Sequence, residues 1–136
     1  MMDLQDVMSV AASGMKVQST RLRLVAQNVA NANSTGLAPG DEPYRRQTIT
    51  FGNVLDREMG VELVTVTHTG VDPGAFPLHY EPGHPAADGD GYVQKPNVST
   101  LLEMADMREA QRSYEANLST LGLARSMIQR TLDLLR

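Results

Sequence analysis

Apolar residues recur at helical spacing at both ends of the chain. From Leu4 to Ala32 every third or fourth residue is apolar except Gln18, and the same alternation runs from Met104 to Leu135, interrupted only by Gln111 and Arg125. Alternating steps of three and four are typical of a coiled-coil seam. The pattern therefore predicts helices over about 4–32 and 99–135, and we expect them to pair as an antiparallel coiled coil.

Local signals mark where these helices begin and end. Residues 31–36 read NANSTG, and Asn, Ser and Gly favour the turns that follow a helix. Pro96 prevents the second helix from extending toward the amino terminus. Thr100 and Glu103 have the spacing of a capping box, and Ser99 or Asn97 could cap the helix one turn earlier.

The middle of the chain has a different character. Residues 46–51 and 61–67 alternate β-branched with polar side chains, which predicts a short antiparallel pair of strands. Residues 70–96 are rich in Pro, Gly and Asp, so we expect an extended loop there. The predicted fold is mainly α with a small β insert: a helical coiled-coil domain formed by 1–35 and 97–136, and a β/loop insert over 36–96.

Length and charge exclude several classes of protein. The chain has 136 residues, which favours one domain, and its 12 basic against 16 acidic residues give a net charge of −4, so a nucleic-acid partner is not expected. The absence of Cys excludes disulfides and thiolate metal sites. We expect no membrane span, because no run of about 18 apolar residues occurs. The acidic amino terminus lacks the pattern of a cleaved signal peptide.

The candidates for catalysis or metal binding are weak. His79, His84, Asp88 and Asp90 are the best titratable cluster, but they lie in the Pro/Gly-rich segment without the tight ligand spacing of zinc sites. No phosphate-binding or nucleophile-elbow motif occurs. We therefore predict no enzyme, no cofactor and no metal; a metalloenzyme that uses His79, His84 and Asp88 is a remote alternative.

The apolar surface of both predicted helices is wider than one seam. Val7, Val10 and Ala26 flank the first stripe, and Leu102 and Leu123 flank the second. A helix that is apolar over more than one stripe needs more than one neighbour. The pattern favours an assembly subunit, with predicted subunit contacts through Met8, Met15, Leu22, Val25, Val29, Met107, Tyr114, Leu118, Leu121, Ile128, Leu132 and Leu135.

Several motifs together resemble the bacterial flagellar axial proteins, the family of rod, hook and hook-filament junction subunits. They are ANANSTG at 30–36, PYRR at 43–46, YEPGHPAAD at 80–88, GYV at 91–93, PNV at 96–98 and AQRSYEAN at 110–117. At this length the chain is similar to the short proximal rod members. The residues that match the family motifs are Asn31, Asn33, Thr35, Gly36, Tyr44, Arg45, Arg46, Pro82, His84, Pro85, Gly91, Tyr92, Pro96 and Asn97.

The resemblance implies a structural role. Such a subunit would polymerise with other rod subunits into a hollow helical shaft that transmits torque and passes exported subunits. Its implied partners are other rod proteins, basal-body ring or adaptor components, further copies of itself, and the type III export apparatus in transit. Its implied location is the periplasmic rod of the flagellar basal body, reached without a cleaved signal peptide. The alternative is a soluble coiled-coil adaptor or export chaperone.

Overall fold

Two long helices lie at the ends of the chain, with four strands between them. The computed structural model describes residues 2–136, so residue 1 of the predicted 1–35 range lies outside the described part. Both predicted helices are confirmed, and their ends agree with the predicted ends to within two residues. The elements are α1 (Leu4–Ala30), β1 (Gln47–Asp56), β2 (Val61–Val71), β3 (Leu78–Tyr80), β4 (Tyr92–Gln94) and α2 (Thr100–Leu134).

Each helix begins with a different arrangement of its first turn. At α1, the backbone N–H of Asp6 donates to the Asp3 carboxylate, and the N–H of Asp3 donates to the Asp6 carboxylate, both at 2.9 Å. This reciprocal pair satisfies two N–H groups that the helix leaves without partners. At α2, the predicted box of Thr100 with Glu103 is wrong, because the Glu103 carboxylate bonds to Asn28 and Arg46 instead.

Strands β1 and β2 form a hairpin around a four-residue turn at 57–60. The Asp56 carboxylate accepts the N–H groups of Glu58 and Met59, and Gly60 closes the turn with a φ of 70°. A left-handed φ favours glycine, because it has no Cβ to clash. The predicted strand pair is present, and both strands continue past the predicted ends at 51 and 67.

A second, smaller hairpin interrupts the predicted loop over 70–96. Strands β3 and β4 pair antiparallel, with Tyr80 opposite Tyr92 and their rings 5.4 Å apart edge to face. Gly91, at a φ of 86°, lies beside the Tyr80 ring, and a Cβ there would be 2.9 Å from Cε2 of Tyr80. The loop expectation is corrected here, since three-residue strands are too short to show an alternating pattern.

The chain divides into two compact units, each assembled from separate stretches. Unit 1 comprises the residues up to Leu22, Ile49–His68 and Arg108–Arg136. Unit 2 comprises Arg23–Thr48 and Thr69–Met107. Among the described residues, the buried side chains of unit 1 are Ala11, Val17, Val61, Ala110 and Ala124, and those of unit 2 are Leu24, Val25, Asn28, Pro43, Val93, Pro96 and Glu103.

Every second position of the seam predicted between Met104 and Ile128 of α2 is displaced by one residue. Met104, Gln111, Leu118 and Arg125 are exposed, whereas the residues that precede them are buried or half-buried. Apolar periodicity could not detect this, because a small or polar side chain can face inward without contributing hydrophobicity. The displaced inward positions are Glu103, Ala110, Asn117 and Ala124, and the half-buried seam residues Met107, Tyr114, Leu121 and Ile128 agree with the prediction.

Candidate functional site

A buried polar cluster joins three distant parts of the chain inside unit 2. Asn28 of α1 is fully buried, and its side-chain carbonyl accepts from the Tyr44 hydroxyl at 2.6 Å and from the Gln47 N–H at 2.9 Å. The Asn28 amide donates to the Gln47 carbonyl at 3.0 Å and to Glu103 at 3.2 Å. Because the amide and carbonyl are both used, Asn28 fixes the start of β1 against the two helices.

Glu103 brings a charge into this cluster. Its side chain is 1% exposed, and its carboxylate accepts a hydrogen bond from the Arg46 guanidinium. A buried carboxylate without such a partner would be strongly destabilising. The pKa of the Tyr44 phenol is raised above its usual value, mainly by burial and to a smaller extent by the Glu103 charge. The phenol O–H donates to Asn28. The cluster is thus saturated with hydrogen bonds.

Arg45 and Asn97 hold the segment that follows β2. The Arg45 guanidinium donates to the Asp72 carbonyl at 2.9 Å and to the Gly74 carbonyl at 3.0 Å, and it lies 4.2 Å from the centre of the Phe76 ring. The Asn97 amide donates to the same two carbonyls, at 3.1 and 3.3 Å. A planar guanidinium suits this combination of forked donation and ring stacking.

The turn after α1 is held by residues of the 80–88 motif. The Ala86 N–H donates to Nδ1 of His84 at 3.0 Å, so the ring proton lies on Nε2. Nε2 can then donate to the Thr35 hydroxyl, 3.2 Å away. Gly36 is needed close by, since a Cβ there would lie 2.6 Å from the Cβ of Asp41. His84 is therefore a structural residue in this turn.

The fourteen single residues that match the family motifs lie in unit 2, whereas the motif at 110–117 lies in unit 1. Pro96 and Gly91 are buried, Tyr92 is 43% exposed, and Asn33, Pro82 and Pro85 are exposed. Most of the remaining motif residues take part in the contacts described above. They are Thr35, Gly36, Tyr44, Arg45, Arg46, His84 and Asn97. Asn28 and Glu103, which form the centre of the polar cluster, were not among the predicted site residues. The signal in the sequence was an asparagine close to the apolar residues Leu24 and Val25.

The predicted contact residues divide into three groups by burial. Val25 is buried, and Leu118, Leu132 and Leu135 are 50%, 53% and 79% exposed. The half-buried remainder are Met8, Met15, Leu22, Val29, Met107, Tyr114, Leu121 and Ile128.

Large apolar side chains on α2 face water along the helix. Exposed patches of this kind mark surfaces that bind another protein or a membrane. Among the described residues, no helix is both long and apolar enough to cross a bilayer. The exposed large apolar side chains of α2 are Leu101, Leu102, Met104, Leu118, Leu123, Met127, Leu132 and Leu134.

The grooves of the two units have few convergent titratable groups. Unit 1 has a groove of about 840 Å³ between α1 and the first hairpin, with Lys16 and Asp56 as its charged residues. Unit 2 has a groove of about 410 Å³ beside β3 and β4, with three carboxylates. Within residues 2–136, no three His, Cys, Asp or Glu side chains are placed to hold a metal ion.

Comparison with known proteins places these features in one family. A model of the family described as "Flagellar basal body rod FlgEFG protein C-terminal" matches residues 90–134. The "Flagellar basal-body rod protein FlgC" of Agrobacterium fabrum is 57% identical over 93% of this chain and 91% of its own length. The proteins of that name from Salmonella typhimurium and Aquifex aeolicus are 38% and 39% identical over 98% of both chains. Relatives this similar over nearly their whole length show that the chain belongs to the FlgC family of flagellar basal-body rod proteins.

Proposed function

We propose that this chain is a structural subunit of the flagellar basal-body rod. It polymerises with other rod subunits into a hollow helical shaft, which transmits torque and passes exported subunits. The observation that carries the proposal is the water-facing apolar surface of α2, because a subunit that packs against neighbours on several sides needs such a surface. Family membership supports the same role.

We further propose that α1 and α2 pair as an antiparallel coiled coil. Two contacts inside unit 1 support this. A Cβ on Gly14 would lie 2.7 Å from the Asn117 amide, and Arg21 forms an ion pair with Glu109 at 3.5 Å. Moving toward the carboxyl end of α1 thus moves the contact toward the amino end of α2, which is the relation expected of antiparallel helices.

The remaining parts of the proposal concern location and partners. The shaft lies in the periplasm, the partners are other rod proteins and basal-body ring or adaptor components, and the type III export apparatus carries the chain there. The role is passive and needs no catalysis or cofactor. The predicted division into a coiled-coil domain of 1–35 with 97–136 and an insert of 36–96 describes which parts would lie inward and outward in the shaft.

Leu118→Asp tests this function in the bacterium that encodes the chain. Leu118 is half exposed, so the single chain tolerates a charge there, whereas a packed subunit interface does not. In a strain lacking the native copy, we expect the variant to reduce swimming at least tenfold and to be missing from purified basal bodies. Ser119→Asp, at the exposed neighbouring position, is the matched control and should swim normally.

The same experiment separates the rod subunit from the soluble adaptor or chaperone. A rod subunit copurifies with basal bodies, whereas an adaptor or chaperone stays in the soluble fraction. Normal motility of the Leu118→Asp strain, or absence of the wild-type chain from basal bodies, would contradict the proposed function.

A further inference from the structure

The groove of unit 2 has a lining that suits an arginine side chain. Its walls include the carboxylates of Asp41, Glu42 and Asp88 next to the apolar side chains of Leu78 and Tyr92. No basic residue is among its described lining. Guanidinium groups bind where carboxylates can accept their N–H groups and an aromatic face can stack on them.

The three carboxylates retain acceptor capacity. Asp41 uses one oxygen for the Ala38 N–H at 3.1 Å, and Asp88 uses one oxygen for the N–H groups of Asp90 and Tyr92, both at 2.9 Å. The second carboxylate oxygen of Asp41 and that of Asp88 accept none of these hydrogen bonds. The Glu42 side chain is 73% exposed and has only a long contact of 3.8 Å to Arg45. All three can therefore accept from a group that enters the groove.

The same chain carries a surface with complementary chemistry. Leu123, Met127, Arg130 and Leu134 follow one another on α2 at steps of four, three and four, which places them on one face of the helix. The three apolar members are 64%, 47% and 86% exposed, and Arg130 is exposed as well. Within the described residues Arg130 forms no ion pair. We name this set the Arg130 stripe.

The distribution of charge between the two units also favours a positive partner for the unit 2 groove. Unit 2 contains four basic and eight acidic residues, whereas unit 1 contains eight of each. The whole net charge of −4 therefore belongs to the unit that contains the groove. A second copy would meet this negative surface with a stripe whose one charge is positive, which favours correct encounter.

We infer that the unit 2 groove of one subunit binds the Arg130 stripe of a second copy of this chain. The Arg130 guanidinium lies against Tyr92 and the carboxylates, and the apolar members of the stripe cover Leu78. Groove and stripe are different surfaces, so the contact joins copies head to tail and leaves a groove and a stripe open for further copies. The inference rests on the proposed rod function and names one contact within the rod.

Cysteine cross-linking tests the contact directly, because the chain has no Cys of its own. Two differently tagged copies, one with Gln94→Cys in the groove and one with Met127→Cys in the stripe, are expressed together. Basal bodies are purified and oxidised, and a disulfide dimer that carries both tags is expected. Gln94→Cys combined with Arg112→Cys is the control, since Arg112 is exposed on α2 five turns before Arg130 and should give no dimer.

A charge exchange tests the assigned chemistry. Adding Arg130→Glu to the Met127→Cys copy should reduce the dimer yield at least about fivefold, since it removes one ion pair and places a like charge against the carboxylates. Glu42→Arg in the Gln94→Cys copy should restore the yield, and Glu42 is chosen because Asp41 and Asp88 hold their own loops.

Three outcomes would overturn the inference: basal bodies that contain both copies without a dimer, capture of Met127→Cys by a different rod protein, and no restoration by Glu42→Arg. Absence of both copies from basal bodies would instead refute the proposed function, and the inference with it.

Discussion

Asn28 makes four hydrogen bonds while fully buried, and replacing it exposes what the cluster contributes to stability. Asn28→Ala leaves the Gln47 backbone groups and one Glu103 oxygen without partners. Each buried unsatisfied group costs about 1–3 kcal/mol, so we expect a loss of roughly 2–4 kcal/mol in the free energy of unfolding. Urea unfolding followed by circular dichroism measures the loss.

The control for this substitution is an exposed asparagine of the same chain. Asn33→Ala, in the turn after α1, should change the free energy of unfolding by no more than about 0.5 kcal/mol. Equal unfolding midpoints for the two variants would show that the cluster does not stabilise unit 2.

The raised pKa of Tyr44 gives the folded chain a defined response to alkaline pH. An unfolded phenol titrates near pH 10, whereas folded Tyr44 holds its proton to higher pH because of burial and the Glu103 charge. Above pH 10 the unfolded state therefore loses a proton that the folded state keeps. The contribution of Tyr44 to stability is complete below about pH 10 and is lost as pH rises through the folded pKa.

Thermal melting between pH 9 and 11.5 measures this response. We expect the Tm of the wild-type chain to fall more steeply above pH 10 than that of Tyr44→Phe, whose Tm is lower at neutral pH because the bond to Asn28 is lost. Parallel curves for the two proteins would contradict the assignment.

At the scale of the elements, two helical glycines have opposite surroundings. A Cβ on Gly14 of α1 would lie 2.7 Å from the Asn117 amide, whereas a Cβ on Gly122 of α2 would meet nothing within 4 Å. Alanine is favoured over glycine in a helix by about 1 kcal/mol. We expect Gly122→Ala to gain most of this amount in unfolding free energy and Gly14→Ala to gain none, because Asn117 must move.

Chemical denaturation of the two alanine variants decides the point, with each acting as the control for the other. An equal gain at both positions would mean that α1 and α2 do not approach closely at Gly14.

The elements also show which parts of the structure the sequence could predict. Both helix ends were predictable because Pro96 and the turn residues at 31–36 act locally. The β3–β4 hairpin was not, since each strand has only three residues. The sequence pattern assigned Glu103 to a cap, but its partners Asn28 and Arg46 are 75 and 57 residues away, and no local spacing reports a contact at that distance.

At the scale of the whole molecule, the family motifs and the exposed apolar surface have different roles. All the family motifs except the one at 110–117 lie in unit 2, where Tyr44, Arg45, Arg46 and Asn97 build internal contacts. The apolar residues that a neighbouring subunit can cover lie along α2 and extend into unit 1. The sequence could therefore predict family and role, while the exposed apolar surface needed the structure, because burial rather than residue type distinguishes Leu118 from Leu121.

The position of Glu103 late in the sequence affects when the nascent chain can fold. A ribosome adds residues from the amino end, so Asn28 and Arg46 emerge long before the carboxylate that joins them has been made. Unit 1 likewise awaits the stretch that begins at Arg108. Neither unit is complete until part of α2 has been made, so the contacts of Glu103 and of residues 108–136 form late in synthesis.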